Sequence, residues 1–151
     1  MEHSSISDSC VLVRGSGAGF SQEIVAGPHH LSADEPGTSG GKDSGPTPYD
    51  LLLAALGACT SMTVGMYARR KKWPLEGIVV RLQHTKTHAE DCAECGTRVG
   101  IVDCIERELE LTGPLTAEQR SELLEIAEKC PVHRTLKSEI DIRTVEEPAR
   151  S

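Results

Sequence analysis

The chain alternates between short runs with period-two hydrophobicity and longer stretches with helical spacing. The period-two runs near the start predict short strands over residues 10–14, 22–26 and 30–34. Turns that contain glycine separate these runs. Residues 36–47 then form a Gly-rich loop, whose length and composition are typical of a mobile segment or of the rim of a functional site.

A helix with a clear start follows the loop. Residues 47–50 read Thr-Pro-Tyr-Asp, so that Thr47 is a candidate N-cap, with proline at the first helical position and a carboxylate three residues after the cap. We expect the helix to continue to about Lys72, because Trp73-Pro74 stops it. It is apolar nearly all round, and a sheet, a second helix or a second subunit must therefore cover it on most sides.

The second half of the chain predicts two more strands, a helix and a last strand. Alternating apolar and polar residues place strands over residues 77–89 and 98–111. A second capping box at Thr116 opens a helix that Pro131 ends. A final strand is expected over residues 136–145. In the strand over residues 98–111, the side chains expected on the inner face are Val99, Ile101, Ile105, Leu109 and Leu111.

This order of elements predicts an α+β fold, with antiparallel sheets around two buried helices in a single domain over residues 1–151. Residues 1–9 are expected to be a disordered tail without the features of a signal peptide. The apolar stretch 51–68 just reaches the length of a membrane span, but its hydroxyl and small side chains make it weakly hydrophobic, and we interpret it as a buried helix.

The composition narrows the classes of function. Lys and Arg number 16 against 23 Asp and Glu, which gives a formal net charge of −7 and argues against binding to nucleic acid or to an anionic membrane. Only 3% of residues are aromatic, which disfavours a stacking platform. The chain has 6 cysteines without a secretory signal, and we expect reduced thiols with redox or metal chemistry.

Two of these cysteines lie on the predicted helices. Cys59 lies among small residues, which allow a substrate or another element to approach its sulfur closely. Cys130 ends the apolar stripe of the second helix and therefore points towards the core. A buried structural cysteine is the alternative for each, but two cysteines on the inner faces of the helices could also meet at the short distance that a disulfide demands.

The sequences around these cysteines carry a resemblance. Residues 46–68 (PTPYDLLLAALGACTSMTVGMYA) and 130–136 (CPVHRTL) resemble the two cysteine motifs of the OsmC/Ohr family, and the likeness extends over most of residues 20–145. It implies the OsmC-like fold, an intertwined homodimer with active sites at the subunit interface, and reduction of hydroperoxides, preferably organic ones. It also implies that Cys59 attacks the peroxide and that Cys130 resolves the product as a disulfide, a division of roles that sulfur chemistry supports.

The attacking thiol of such an enzyme needs a cation to lower its pKa. The resemblance implies an arginine from an N-terminal segment, held by a glutamate ten residues before the attacking cysteine. That position is Tyr49 here, and the neighbouring Asp50 lies on the opposite side of the helix from Cys59 and is better explained as a capping residue. Arg14 is the arginine of the N-terminal strands, and we expect it to activate Cys59. Cys130 is expected at the C-terminus of the second helix, where the negative end of the helix dipole disfavours a thiolate, and this suits a resolving cysteine better than an attacking one.

A second group of candidate residues lies at the hairpin tip, where His88, Cys92 and Cys95 resemble part of a zinc knuckle. One Cys-x-x-Cys pair supplies two of the four ligands of a structural zinc site. An exposed dithiol, a loop disulfide or an inert tip are the alternatives. No cofactor is expected at the main cysteine pair.

Two functions therefore compete. The first is a cytoplasmic thiol peroxidase in oxidative-stress defence, with a hydroperoxide substrate and a dithiol reductant of lipoyl or thioredoxin type. The second is a dimeric binding module of the same fold, with weak peroxidase activity, that binds zinc at the tip or an apolar ligand. The cysteine pair favours the enzyme, whereas Tyr49 and the tip favour the module.

Overall fold

The computed structural model describes residues 10–92 and 100–148. The tail 1–9 and most of the predicted hairpin tip, including Cys95, lie outside the described residues. The chain divides into two compact units, Met1–Ala54 and Ala55–Ser151. That all residues form one domain stays a prediction.

The first unit contains a three-stranded antiparallel sheet in the order β1-β2-β3. The strands are β1 (Val11–Gly15), β2 (Gln22–Ala26) and β3 (His29–Ala33). Each lies within a residue of its predicted position, and the Gly-Pro turn joins β2 to β3 in a tight connection, with Ala26 paired to His29. The three predicted strands are confirmed.

Helix α1 (Pro48–Lys71) begins and ends as its sequence predicts. Thr47 Oγ1 accepts a hydrogen bond of 3.2 Å from the backbone N–H of Asp50, and the Asp50 carboxylate accepts one of 3.0 Å from the N–H of Thr47. This reciprocal pair is the predicted capping box. The helix ends where Lys72 adopts a left-handed conformation, with φ of 58°, just before Trp73.

The second unit contains the antiparallel hairpin of β4 (Gly77–His88) and β5 (Ile101–Thr112). The predicted pairing is confirmed, but the predicted inner face of β5 is wrong at its start. Ile101 is 65% exposed and Val102 is buried. The alternation changes phase between Cys104 and Ile105, which are both half-buried, and only from Ile105 onward do the odd-numbered residues face inward.

Helix α2 (Ala117–Ala127) follows, and its predicted capping box is confirmed, because Thr116 and Gln119 exchange side-chain and backbone hydrogen bonds. The core of the second unit lies between α1, α2 and the hairpin. Its fully buried members are Val64, Ala68, Leu123 and Ala127, and partly buried side chains that include Ile78 and Leu109 pack around them. One stripe of each helix therefore faces the hairpin.

The segment after α2 differs from its prediction. Residues Pro131–Lys137 form a third helix, α3, with Cys130 at its N-cap, and residues 138–148 have no regular secondary structure. The final strand predicted over 136–145 is therefore wrong for this chain alone. Ile140 and Ile142 alternate as a strand requires, but both are exposed, and no strand within 10–92 or 100–148 pairs with them.

Among the described helices, α1 is long and apolar enough to cross a membrane by length and composition. Its buried residues Thr60, Val64 and Ala68 recur every four positions and pack inside the second unit. Met62 and Met66, between them, are 72% and 50% exposed. A single chain therefore covers one face of this helix, as in a core helix of a globular protein, and leaves apolar side chains of the other face exposed.

Candidate functional site

The second unit brings together the two cysteines singled out by the sequence. Cys59 lies on α1 and is half-buried, whereas Cys130 lies between α2 and α3 and is fully buried, with 0% exposure. Both are free thiols, and Cys59 lies close enough to Cys130 to contribute to the lowering of the pKa of that thiol. The inner faces of α1 and of the α2–α3 junction thus place the two sulfurs within reach of each other.

The sulfur of Cys130 accepts a hydrogen bond of 3.3 Å from the backbone N–H of His133. The hydroxyl of Thr60, one residue after Cys59, lies 3.7 Å from the same sulfur. Burial raises the pKa of Cys130. The hydrogen bonds from His133, Thr60 and Cys59 and the charge of Arg107 outweigh this effect, and the pKa lies below its ordinary value.

This finding corrects the expectation that a helix C-terminus disfavours a thiolate at Cys130. The sequence correctly ends α2 before Pro131, but the same proline is the first residue of α3. Pro at a first helical position starts a helix as readily as it stops the previous one. Cys130 is consequently an N-cap, and a backbone N–H rather than a carbonyl faces its sulfur.

Arg107 on β5 organises the polar side of the site. Its Nη1 donates a hydrogen bond of 2.9 Å to Thr60 Oγ1. Its Nη2 lies 3.3 Å from Oε1 of Glu128 and 3.1 Å from Nδ1 of His133. The Arg107 side chain is only 9% exposed, so its hydrogen bond to Thr60 is shielded from water, whereas its contact with Glu128, which is 66% exposed, is screened by solvent.

The contacts of His133 define its tautomer. Arginine has only donors, and Nδ1 of His133 must therefore accept the hydrogen bond from Arg107. The ring proton then resides on Nε2, which lies 3.4 Å from Oε2 of Glu128. Arg107, His133 and Glu128 form a closed ring of polar contacts beside Cys130.

The predicted activator Arg14 lies on β1 of the first unit. Its Nη1 is 3.6 Å from Oε2 of Glu23, the residue opposite it on β2, and its side chain is 62% exposed. Cys59 and Cys130 belong to the second unit. Activation of Cys59 by Arg14 stays a prediction.

The hairpin tip is described only in part. His88 is the last residue of β4, and Cys92 is disulfide-bonded, which agrees with the alternative of a loop disulfide. A cysteine in a disulfide has no thiolate to offer to zinc. Among the residues described, no group of three or more His, Cys, Asp or Glu side chains could hold a metal ion.

Sequence reasoning missed Arg107, Thr60 and His133. A signal for Arg107 was present, because it occupies an inward position of β5 between Ile105 and Leu109. A charged residue at such a position is rarely buried unless it is paired. Thr60 and His133 gave no comparable signal, since a hydroxyl in a helix and a histidine near a helix end are common without a role.

Residues 41–145 match the family model described as OsmC-like protein. None of the curated proteins matches the sequence. The fold is similar to that of an OsmC-like protein from Mycoplasma pneumoniae, with a TM-score of 0.65 and 18% identity over 85% of this chain and 86% of that chain.

Two further structures are similar. An organic hydroperoxide resistance protein OsmC from Legionella pneumophila gives a TM-score of 0.62 and 20% identity over 87% of this chain and 90% of that one. The organic hydroperoxide resistance protein OhrB of Bacillus subtilis gives a TM-score of 0.58 and 20% identity over 87% and 92%. At these identities the likeness concerns the fold.

Proposed function

This chain belongs to the OsmC-like family, and on that premise we propose that it is a thiol-dependent peroxidase that reduces organic hydroperoxides through Cys59 and Cys130. The observation that carries the proposal is the pairing of two free thiols within one site, with a polar network beside one of them. The names of the Legionella and Bacillus proteins support organic hydroperoxides as the substrate class.

We assign the first step to Cys59, because this residue is partly exposed whereas Cys130 is fully buried. The Cys59 thiolate attacks the outer oxygen of the hydroperoxide, the O–O bond breaks, and an alcohol leaves after it takes up a proton. Cys59 is thereby oxidised to a sulfenic acid. Arg14 is our candidate for the cation that favours the attacking thiolate.

The second step belongs to Cys130. Its thiolate attacks the sulfur of the sulfenic acid, a Cys59–Cys130 disulfide forms, and the hydroxyl leaves as water. A resolving cysteine reacts as its thiolate, and the lowered pKa of Cys130 favours that form. A dithiol reductant of lipoyl or thioredoxin type then restores both thiols.

We further propose that the enzyme is a cytoplasmic homodimer that serves in defence against oxidative stress and needs no cofactor. The exposed apolar side chains of α1, such as Met62, support a subunit interface there.

Single-cysteine variants test the assignment of roles. Cys59→Ser should abolish consumption of cumene hydroperoxide, because a serine hydroxyl is scarcely ionised and cannot take up the peroxide oxygen. Cys130→Ser should react once and stall as a sulfenic acid at Cys59, which dimedone labels. Cys104→Ser, which removes a free thiol of β5, is the matched control and should behave as wild type.

Dimedone labelling of Cys130 in the Cys59→Ser variant would reverse the assignment. Unchanged peroxide consumption in both variants would reject the peroxidase and favour a binding module of the same fold.

A further inference from the structure

We propose that Arg107 is a positioning residue that acts through Thr60 to hold Cys130 as the leaving thiolate when the Cys59–Cys130 disulfide is reduced. The inference rests on the proposed peroxidase cycle and concerns its last stage. In this stage the external dithiol attacks the sulfur of Cys59, and the sulfur of Cys130 is the leaving group.

The hydrogen bonds of Thr60 show how Arg107 reaches the sulfur. The hydroxyl has one proton and two acceptor sites. One acceptor site takes the N–H of Arg107 at 2.9 Å, and the hydroxyl also lies 2.7 Å from the carbonyl oxygen of Leu56 and 3.7 Å from Cys130 Sγ. When Cys130 is a thiol, its S–H donates to Thr60 and the hydroxyl proton goes to Leu56.

When Cys130 is a thiolate, the same hydroxyl can turn its proton towards the sulfur. The carbonyl of Leu56 keeps the backbone hydrogen bond of the helix and loses only the additional one. Arg107 holds the Thr60 oxygen in place in both states and withdraws electron density from it, which makes the hydroxyl a better donor to the sulfur. Thr60 is fully buried, and water cannot substitute for it.

The ring of contacts around Arg107 fixes the guanidinium in this position. Glu128 and the neutral His133 engage Nη2, which leaves Nη1 directed at Thr60. Lysine would preserve the charge but offers no planar fork to satisfy both sides at once. The geometry therefore needs arginine at this inward position of β5.

Access to the two sulfurs adds a second, independent reason. Cys130 is fully buried, whereas Cys59 is partly exposed. Thiol–disulfide exchange is faster when the attacked sulfur is accessible and when the leaving thiol has a low pKa. Both conditions select attack at Cys59 with departure of Cys130.

The exchange balances in two steps. A thiolate of the dithiol attacks Cys59 Sγ, the protein disulfide breaks, and its electron pair passes to Cys130, which leaves as a thiolate. The second thiol of the reductant then attacks its own sulfur in the mixed disulfide and releases Cys59. The dithiol is oxidised to a disulfide, and its two protons appear on the protein thiols or in solvent.

The position of the mixed disulfide tests this order of events. The full chain is oxidised with diamide, so that the disulfide forms without any peroxide, then treated with one equivalent of glutathione, quenched in acid and mapped by peptide mass spectrometry. The wild type should carry glutathione on Cys59. Adducts on Cys130, or equal labelling of both cysteines, would overturn the proposal.

Two measurements test the role of Arg107: the pH midpoint of Cys130 and the rate at which the disulfide is reduced. Substitution of a residue with only a structural role would not change both. In Arg107→Gln, the pH midpoint of the carbon-13 shift of labelled Cys130 should rise, because the charge of Arg107 is lost and the hydroxyl of Thr60 is no longer held beside the sulfur. Reduction of the diamide-formed disulfide by dithiothreitol should slow several-fold, whereas Arg107→Lys should recover part of both effects. An unchanged midpoint in Arg107→Gln would overturn the assignment.

Arg81→Gln is the matched control, because Arg81 lies on the neighbouring strand β4 and pairs at 2.9 Å with the exposed Glu110. It should leave both readouts unchanged. If Arg107→Gln fails to fold, Thr60→Val removes the same hydroxyl link and should also raise the midpoint, and an unchanged midpoint there would equally overturn the proposal. Failure of peroxide to form the disulfide that diamide forms would instead reject the proposed peroxidase.

Discussion

Asp34 is a buried carboxylate that fixes the Gly-rich loop in the first unit. It accepts hydrogen bonds from the hydroxyls of Ser21 and Ser44, at 3.1 and 2.7 Å, and from the backbone N–H groups of Glu35, Lys42 and Ser44. The side-chain hydrogen bond from Ser44 is the main reason why the pKa of Asp34 lies well below its ordinary value, and burial opposes it. A single side chain therefore orders a loop that the sequence alone describes as mobile or functional.

We expect Asp34→Asn to loosen this loop at neutral pH, because the amide is uncharged and offers one acceptor oxygen for the hydrogen bonds that the two carboxylate oxygens share, among them those from the N–H groups of Lys42 and Ser44. Amide hydrogen exchange at these two positions should accelerate. The folded pKa lies below the unfolded one, so the carboxylate stabilises the native state above about pH 4 and this contribution declines as pH falls through the folded value. The variant should therefore lose more stability relative to wild type at pH 7 than at pH 3.

Asp43→Asn, which alters another carboxylate of the same loop, is the control and should leave the exchange of Lys42 and Ser44 as in wild type. Equal exchange in Asp34→Asn and wild type would contradict the role of Asp34.

The residues of the candidate site differ in how far the sequence reveals them. Cys59 and Cys130 stand out, because each lies in a recognisable motif and on a predicted helix. Arg107 lies 48 residues after Cys59 in the chain, and only the fold brings its guanidinium to Thr60. Long-range polar contacts of this kind depend on side-chain directions that hydrophobic periodicity does not encode.

At the scale of elements, local signals predicted the starts of both long helices, since capping boxes act within four residues. Helix α3 was missed, because Pro131 was interpreted only as the end of the preceding helix and because seven residues are too few to establish a helical period. The β5 face was misjudged for a related reason, as a shift of phase between Cys104 and Ile105 leaves the overall alternation intact.

The turn from β5 to α2 depends on Gly113. Its φ is 131°, and a Cβ there would lie 2.1 Å from the carbonyl oxygen of Pro74. Gly113→Ala therefore combines backbone strain with a clash against another backbone segment, and we expect it to lower the free energy of unfolding by roughly 2 kcal/mol or more. Urea denaturation followed by circular dichroism measures the change.

Gly37→Ala is the matched control, because a Cβ at Gly37 meets no atom within 4 Å. It should change the free energy of unfolding by less than about 0.5 kcal/mol. Equal free energies of unfolding for the two variants would contradict the prediction, because they would mean that the turn at Gly113 accommodates a side chain without a clash.

At the scale of the whole molecule, the exposed apolar residues predict self-association. Met62 and Met66 lie four residues apart on the face of α1 that the chain itself leaves open, and Ile142 is exposed beyond α3. The sequence anticipated that an all-round apolar helix needs a cover, but not which face the chain would cover itself. That division follows from the packing of α2 and the hairpin against Val64 and Ala68.

We expect a homodimer at micromolar concentration in sedimentation equilibrium, since burial of such side chains favours association. The double variant Met62→Glu/Met66→Glu should shift the equilibrium towards monomer, because charges would have to be buried at the interface. The control Met62→Leu/Met66→Leu should remain dimeric. A monomeric wild type would contradict the expected interface.

The central claim is that Cys59 and Cys130 form a disulfide when the protein reduces a hydroperoxide. The most direct measurement is an anaerobic count of free thiols before and after one equivalent of cumene hydroperoxide, followed by peptide mapping. Our account predicts the loss of two thiols per subunit, with Cys59 and Cys130 joined in one peptide pair. An unchanged thiol count, or a disulfide that excludes either cysteine, would contradict it.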